Sequence, residues 1–150
     1  MRQILLAAAA LLAAPAAAEA STMHVDGWAR ATVAGQKTAA VYLTLHNGGR
    51  TADQLIGVAS PLATSGSLHK TVTAGGVLRM RPSGPIGIVP GQQLQMAPGG
   101  LHVMLHGLKR PLRPGTRVPL ELRFARAGIV RTQVIVQPPG HSPDSHDHHN

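Results

Sequence analysis

From residue 23 onward, short apolar segments alternate with polar positions at a period of two, and Gly, Pro and Asn signals separate them. The pattern predicts strands near residues 24–31, 39–46, 53–59, 67–72, 77–81, 93–96, 102–108, 117–124 and 129–136. Turns are expected at Asn47-Gly48-Gly49, Ala74-Gly75-Gly76, Pro98-Gly99-Gly100, Arg113-Pro114-Gly115 and Arg126-Ala127-Gly128, because Gly and Asn tolerate the backbone angles that tight reversals need. No segment carries a helical period. Short strands at this spacing predict an all-β fold, a sandwich or a Greek-key barrel.

Both ends break the pattern. Arg2, the apolar run from Ile4 to Ala14 and the small-residue site Ala18-Glu19-Ala20 read as a cleaved signal peptide over residues 1–20. That run is too short to cross a bilayer as a helix. The exported domain is expected to occupy residues 21–137. Beyond Val136, Pro138-Pro139-Gly140 stops the last strand, and residues 141–150 hold four histidines, two aspartates and no large apolar side chain. Residues 138–150 have nothing to bury and are expected to be a disordered His-rich tail.

Composition narrows the function classes. The chain has no cysteine, so an exported domain must be held by its apolar core, and thiolate metal sites are excluded. A lipid anchor at the cleavage point would need a cysteine there, so an unanchored periplasmic protein is expected. Lys and Arg number 14 against 6 Asp and Glu, for a formal charge of +8. Nucleic acid is nevertheless a poor partner, since Trp28, Tyr42 and Phe124 are the only aromatics available for base stacking. A basic face suits an acidic partner or an anionic surface, without stable membrane insertion. Between leader and tail the acids are Asp26, Asp53 and Glu121, too few and too scattered for an enzyme's paired carboxylates or a catalytic triad.

The chemistry concentrates between Leu68 and Met104. In Leu101-His102-Val103-Met104-Leu105-His106 the aliphatic residues alternate with His102, Met104 and His106. If Leu101, Val103 and Leu105 face the core, His102 and Met104 turn outward together, near the surface. Upstream, an even turn centred on Ala74-Gly75 would set His69 opposite Met80, with β-carbons roughly 5 Å apart. That register also sets Lys70 against Arg79. A three-residue loop, Ala74-Gly75-Gly76, would instead place Met80 opposite Lys70. Imidazole and thioether without thiolate form a soft, uncharged donor set that suits Cu(I) and contributes little to Zn(II), Mg(II) or Ca(II).

The pattern His-x10-Met-x21-His-x-Met resembles the periplasmic copper chaperone family PCu(A)C. Around it stand Gly76-Val77-Leu78-Arg79-Met80-Arg81-Pro82 and Pro98-Gly99-Gly100-Leu101-His102-Val103-Met104-Leu105. The similarity extends over nearly the whole exported part, with Trp28-Ala29-Arg30-Ala31-Thr32, Ala40-Val41-Tyr42, Asn47 and the Gly128 turn. The resemblance implies a cupredoxin-like β-sandwich binding one Cu(I) through His69, Met80, His102 and Met104. It also implies a chaperone that passes copper to the Cu(A) centre of cytochrome c oxidase, directly or through a Sco-type protein. The alternative is a periplasmic copper buffer or resistance protein, which would use the same site plus the tail to sequester Cu(I) and Cu(II). His106 stands where relatives often carry a further methionine.

The remaining candidates have plainer readings. His106 is expected to be solvated, Met96 to fill the core, and His46 to be structural or exposed beside its turn. Met23 and His24 are expected to form a frayed end, although an amine and imidazole there would bind Cu(II). In the tail, His141, His146, His148 and His149 are expected to offer an auxiliary, weaker Cu(II) site.

Overall fold

A computed structural model describes residues 22–142. Its strands are β1 (Met23–Arg30), β2 (Thr38–Asn47), β3 (Asp53–Ala59), β4 (Ser65–Ala74), β5 (Val77–Pro82), β6 (Ile86–Ile88), β7 (Gln93–Gln95), β8 (Leu101–His106), β9 (Arg117–Phe124) and β10 (Gly128–Gln137). They hydrogen-bond in the order β5-β4-β8-β2-β1-β10-β9-β3-β6. All pairings are antiparallel except β1 with β10. One edge of β2 is shared: residues Thr38 to Val41 pair with β8, and Thr44 to His46 pair with β7.

The path is open, with β5 and β6 at its two ends, and it folds back on itself. Gly66 of β4 lies so close to β3 that a β-carbon there would sit 2.6 Å from the Val58 carbonyl oxygen. Inward side chains from both halves meet in one apolar cluster, with Val41, Leu43, Val103 and Leu105 against Leu55, Leu120, Leu122 and Phe124. This is the two-layer packing that inward–outward alternation on each strand demands. Polar groups tie the layers at their ends. The Asn47 side-chain amide donates to the Thr51 and Ile88 carbonyls, and Asp53 accepts from the Arg126 and Ala127 N–H groups.

Three expectations need correction. The β4–β5 turn is the two residues Gly75 and Gly76, both with positive φ (58° and 76°), the geometry whose twist matches a hairpin. Ala74 therefore pairs with Val77, Met80 pairs with Thr71, and His69 pairs with Pro82. Lys70 faces Arg81, and Arg79 faces Val72. Neither the Ala74-Gly75 register nor the three-residue loop holds, although the even loop preserves the face. Second, β6 was not foreseen, because three residues between Pro85 and Val89-Pro90 show no measurable alternation. Third, the start of the tail is packed: His141 donates its backbone N–H to the Pro138 carbonyl, and its ring meets Trp28 edge-on at 4.7 Å. The leader (residues 1–20) and His146, His148 and His149 lie outside the described residues. Among the described residues, no helix is long and apolar enough to cross a membrane.

Candidate metal centre

Strand β8 lies between β4 and β2, and alternation divides its side chains as expected. Val103 and Leu105 are buried inward, while His102, Met104 and His106 share the other face. Pairing with β4 sets His69 directly beside His102, Ser67 beside Met104 and Ser65 beside His106. The His69 and His102 rings are 5.8 Å apart and nearly perpendicular, at 76°. His102 is not at the open surface that the alternation suggested. It is 3% exposed, because a central strand has a bulky neighbour on each side. His69 covers one flank, and Tyr42 of β2 stands 6.4 Å away on the other. Tyr42 is itself held between Trp28, at 4.6 Å, and the Arg30 guanidinium, at 5.7 Å.

The polar atoms of these two rings are unevenly partnered. A carbonyl oxygen only accepts, so the His102 Nδ1–H donates to the Gly100 carbonyl at 3.1 Å, leaving the lone pair on Nε2. That Nε2 is buried with no hydrogen-bond partner, and so is His69 Nδ1. Each such atom costs about 1–3 kcal/mol of lost hydration. A carbonyl that fixes the tautomer and aims the other nitrogen is the usual outer support of a metal-bound imidazole. The spacing agrees. A nitrogen bound at about 2.0 Å puts its ring centre roughly 3.2 Å from the ion, so two rings sharing an ion lie at most about 6.4 Å apart.

His69 is held below its ordinary pKa of 6.5, first by burial and then by repulsion from His102 and His106. It therefore stays neutral, with its lone pair available, at neutral pH. No group of three or more His, Cys, Asp or Glu side chains gathers into a metal-holding cluster among the described residues. A metal here would depend on thioethers.

The two methionines stand differently. Met104 is half-buried and diagonal to His69, across Ser67. Met80 is diagonal to His69 on the opposite side, across Thr71, and is 61% exposed on a strand whose every residue is exposed. With 4.8 Å between strands and 3.3 Å per residue, a flat sheet would separate their α-carbons by about 16 Å. The structure thus gathers His69, His102 and Met104 and leaves Met80 on the same face but further out. The edge hairpin must curl toward β8 before both thioethers meet one ion.

The LpqE-like family, described as "Putative lipoprotein LpqE-like", matches residues 23–136. The chain belongs to that family. A protein described as "Putative lipoprotein Lxx21020", from Leifsonia xyli subsp. xyli (strain CTCB07), is 36% identical over 118 residues, covering 74% of this chain and 70% of its own. Among solved structures, the copper-bound PCuAC domain from PmoF2 is 28% identical with a TM-score of 0.67, covering 79% of this chain and 94% of that one. Cu(I)-bound DR1885 from Deinococcus radiodurans is 29% identical with a TM-score of 0.54, covering 80% of this chain and 79% of that one. The similarity to PCu(A)C proteins visible in the sequence is therefore also a similarity of structure.

The other candidates divide in this LpqE-like chain. Met96 is buried in the core as expected. His106 is not freely solvated: it is half-buried, its Nε2 is 2.8 Å from Ser67 Oγ, and its ring is 6.1 Å from His69. Alternation already placed it on the right face, but only the β4 pairing shows that it adjoins His69. Met23 is not frayed; it is 5% exposed and paired with Asn47. His24 pairs with His46. His141 lies at Trp28, on the far side of Tyr42 from His102. Sequence reading also missed Tyr42, which flanks His102, and no short-range signal carries that contact.

Proposed function

We propose that this protein is an exported copper-binding chaperone that carries Cu(I) on a cupredoxin-like sandwich, with His69, His102, Met104 and Met80 as donors. The observation that carries the reading is the pair of buried, partnerless imidazole nitrogens, His69 Nδ1 and His102 Nε2, on rings 5.8 Å apart and on the same face as Met104. Soft, neutral donors without carboxylate or thiolate favour Cu(I) over harder ions. Two similar structures, the PmoF2 PCuAC domain and DR1885, hold copper, which supports the same metal. The family's lipoprotein name supports an exported, envelope-associated protein, and we place it in the periplasm. The acceptor we propose is the Cu(A) subunit of a respiratory oxidase, reached directly or through a Sco-type protein. Its supports are the sequence resemblance and the exposed Met80, a donor that another protein's ligands can reach and replace.

Titration of Cu(I) against a chromophoric chelator tests the binding. Tight one-to-one binding, lost in His102→Ala, is the expected result. Absence of such binding, or indifference to His102→Ala, overturns the reading. X-ray absorption on the copper-loaded protein then counts nitrogen and sulfur neighbours. Delivery is tested by deleting the gene. Loss of Cu(A) activity at low copper is expected, whereas copper sensitivity alone would make the protein a buffer.

A further inference from the structure

A second imidazole pair lies on the same sheet, away from the thioethers. His24 of β1 and His46 of β2 are direct cross-strand partners, so their β-carbons leave the same face side by side. Their rings are 6.0 Å apart with planes 25° from parallel. That distance is too wide for stacked contact and within the roughly 6.4 Å that two rings can span when they share one ion. Unlike His102, His24 is exposed and His46 is half-buried. The neighbours are oxygen-bearing rather than sulfur-bearing. Gln93 of β7 pairs with His46, and Asp26 lies two residues along β1 from His24 on the same face. The His24 ring also lies against Gly48, where a β-carbon would stand 3.6 Å from His24 Nε2.

We infer that His24 and His46 form a separate binding site for a borderline divalent metal ion, Cu(II) before Zn(II) or Ni(II). Two imidazoles with amide and carboxylate oxygens nearby suit such ions, and Cu(II) stands highest in the affinity order for nitrogen donors. Met23, the sequence neighbour of His24, is buried in the apolar core, so the pair offers little to Cu(I). Two protein ligands leave the other coordination positions to water. Such an ion exchanges readily. The site is independent of the tail histidines and of the His69–His102 centre.

The test is imidazole NMR of the full chain, titrated with aqueous Cu(II) in the absence of reductant, where the paramagnetic ion broadens the rings it binds. The His24 and His46 signals are expected to broaden together below one equivalent. His24→Ala should raise the Cu(II) concentration that broadens His46 by at least tenfold, because one imidazole no longer chelates. His46→Gln should do the same to His24. Unchanged amide spectra show that both variants fold. A change below tenfold, or no joint broadening by one equivalent, overturns the inference. The Cu(I) reading is tested under reducing conditions and does not depend on this result.

Discussion

Strands β8 and β5 each present a methionine on the same face of the sheet, but they stand in opposite mechanical circumstances. β8 is hydrogen-bonded on both sides, its inward Val103 and Leu105 are fully buried, and His102 is sealed at 3% exposure. β5 has a neighbour on one side only, every residue is exposed, and Leu78 is 72% exposed. Side chains on a central strand are fixed by packing from both flanks. Those on an edge ribbon pack on one flank and open at low cost. On the proposed function, His69, His102 and Met104 are pre-placed donors, and the unmet His69 Nδ1 and His102 Nε2 are a penalty that a bound ion would relieve. On the same reading Met80 would contribute from an exposed edge strand that holds no core residue. A carrier needs both properties, one for capture and the other for release.

The comparison breaks first on stability. Leu105→Ala on β8 removes a fully buried side chain and is expected to cost about 2–5 kcal/mol in denaturant unfolding. Leu78→Ala on β5 should stay within about 0.5 kcal/mol of the parent. Similar losses for both would show that the hairpin is as integral as the centre. The next effect is on binding. His102→Ala should weaken Cu(I) at least about 100-fold in chelator competition, the upper end of what removing a mere supporting residue costs. Met80→Ala should weaken it by about tenfold, equal to about 1.4 kcal/mol, and the loss should appear as faster transfer to the competing chelator. Equal losses for the two would mean that the hairpin closes fully on the ion.

The finest test is pH. His69 takes up its proton at a lower pH in the fold than in the unfolded chain, whose value is the ordinary 6.5. Below 6.5 the unfolded state therefore binds more protons, and stability falls with pH until the folded pKa is passed. Above 6.5 the contribution is complete. Denaturant midpoints at pH 7.5 and 5.5 should differ in that direction, and His69→Gln should reduce the difference. An undiminished difference would place the sensitivity in other histidines.

Much of this was legible along the chain because it depends on periods of two. Alternation in residues 101–106 put His102, Met104 and His106 on one face and the aliphatics on the other, and the strands fell near their final places. The register of the β4–β5 hairpin was not legible. Ala74-Gly75-Gly76 can supply its two turn residues in more than one way, and a shift of two positions moves every cross-strand partner while leaving each residue's face unchanged. Burial of His102 was hidden for a related reason. Alternation tells which side of a strand a residue takes, and says nothing of which strands flank it.

The sequence by itself determined the donor types, their faces and the lack of any thiolate, since these follow from residue identity and local backbone period. Only the tertiary structure decided that His69 adjoins His102 rather than Met80, that their free nitrogens are sealed from water, and that Met80 rides on the open edge. Those facts depend on which strands become neighbours. Neighbours are chosen by packing one apolar core from segments far apart in the chain, a global condition that no local stretch encodes.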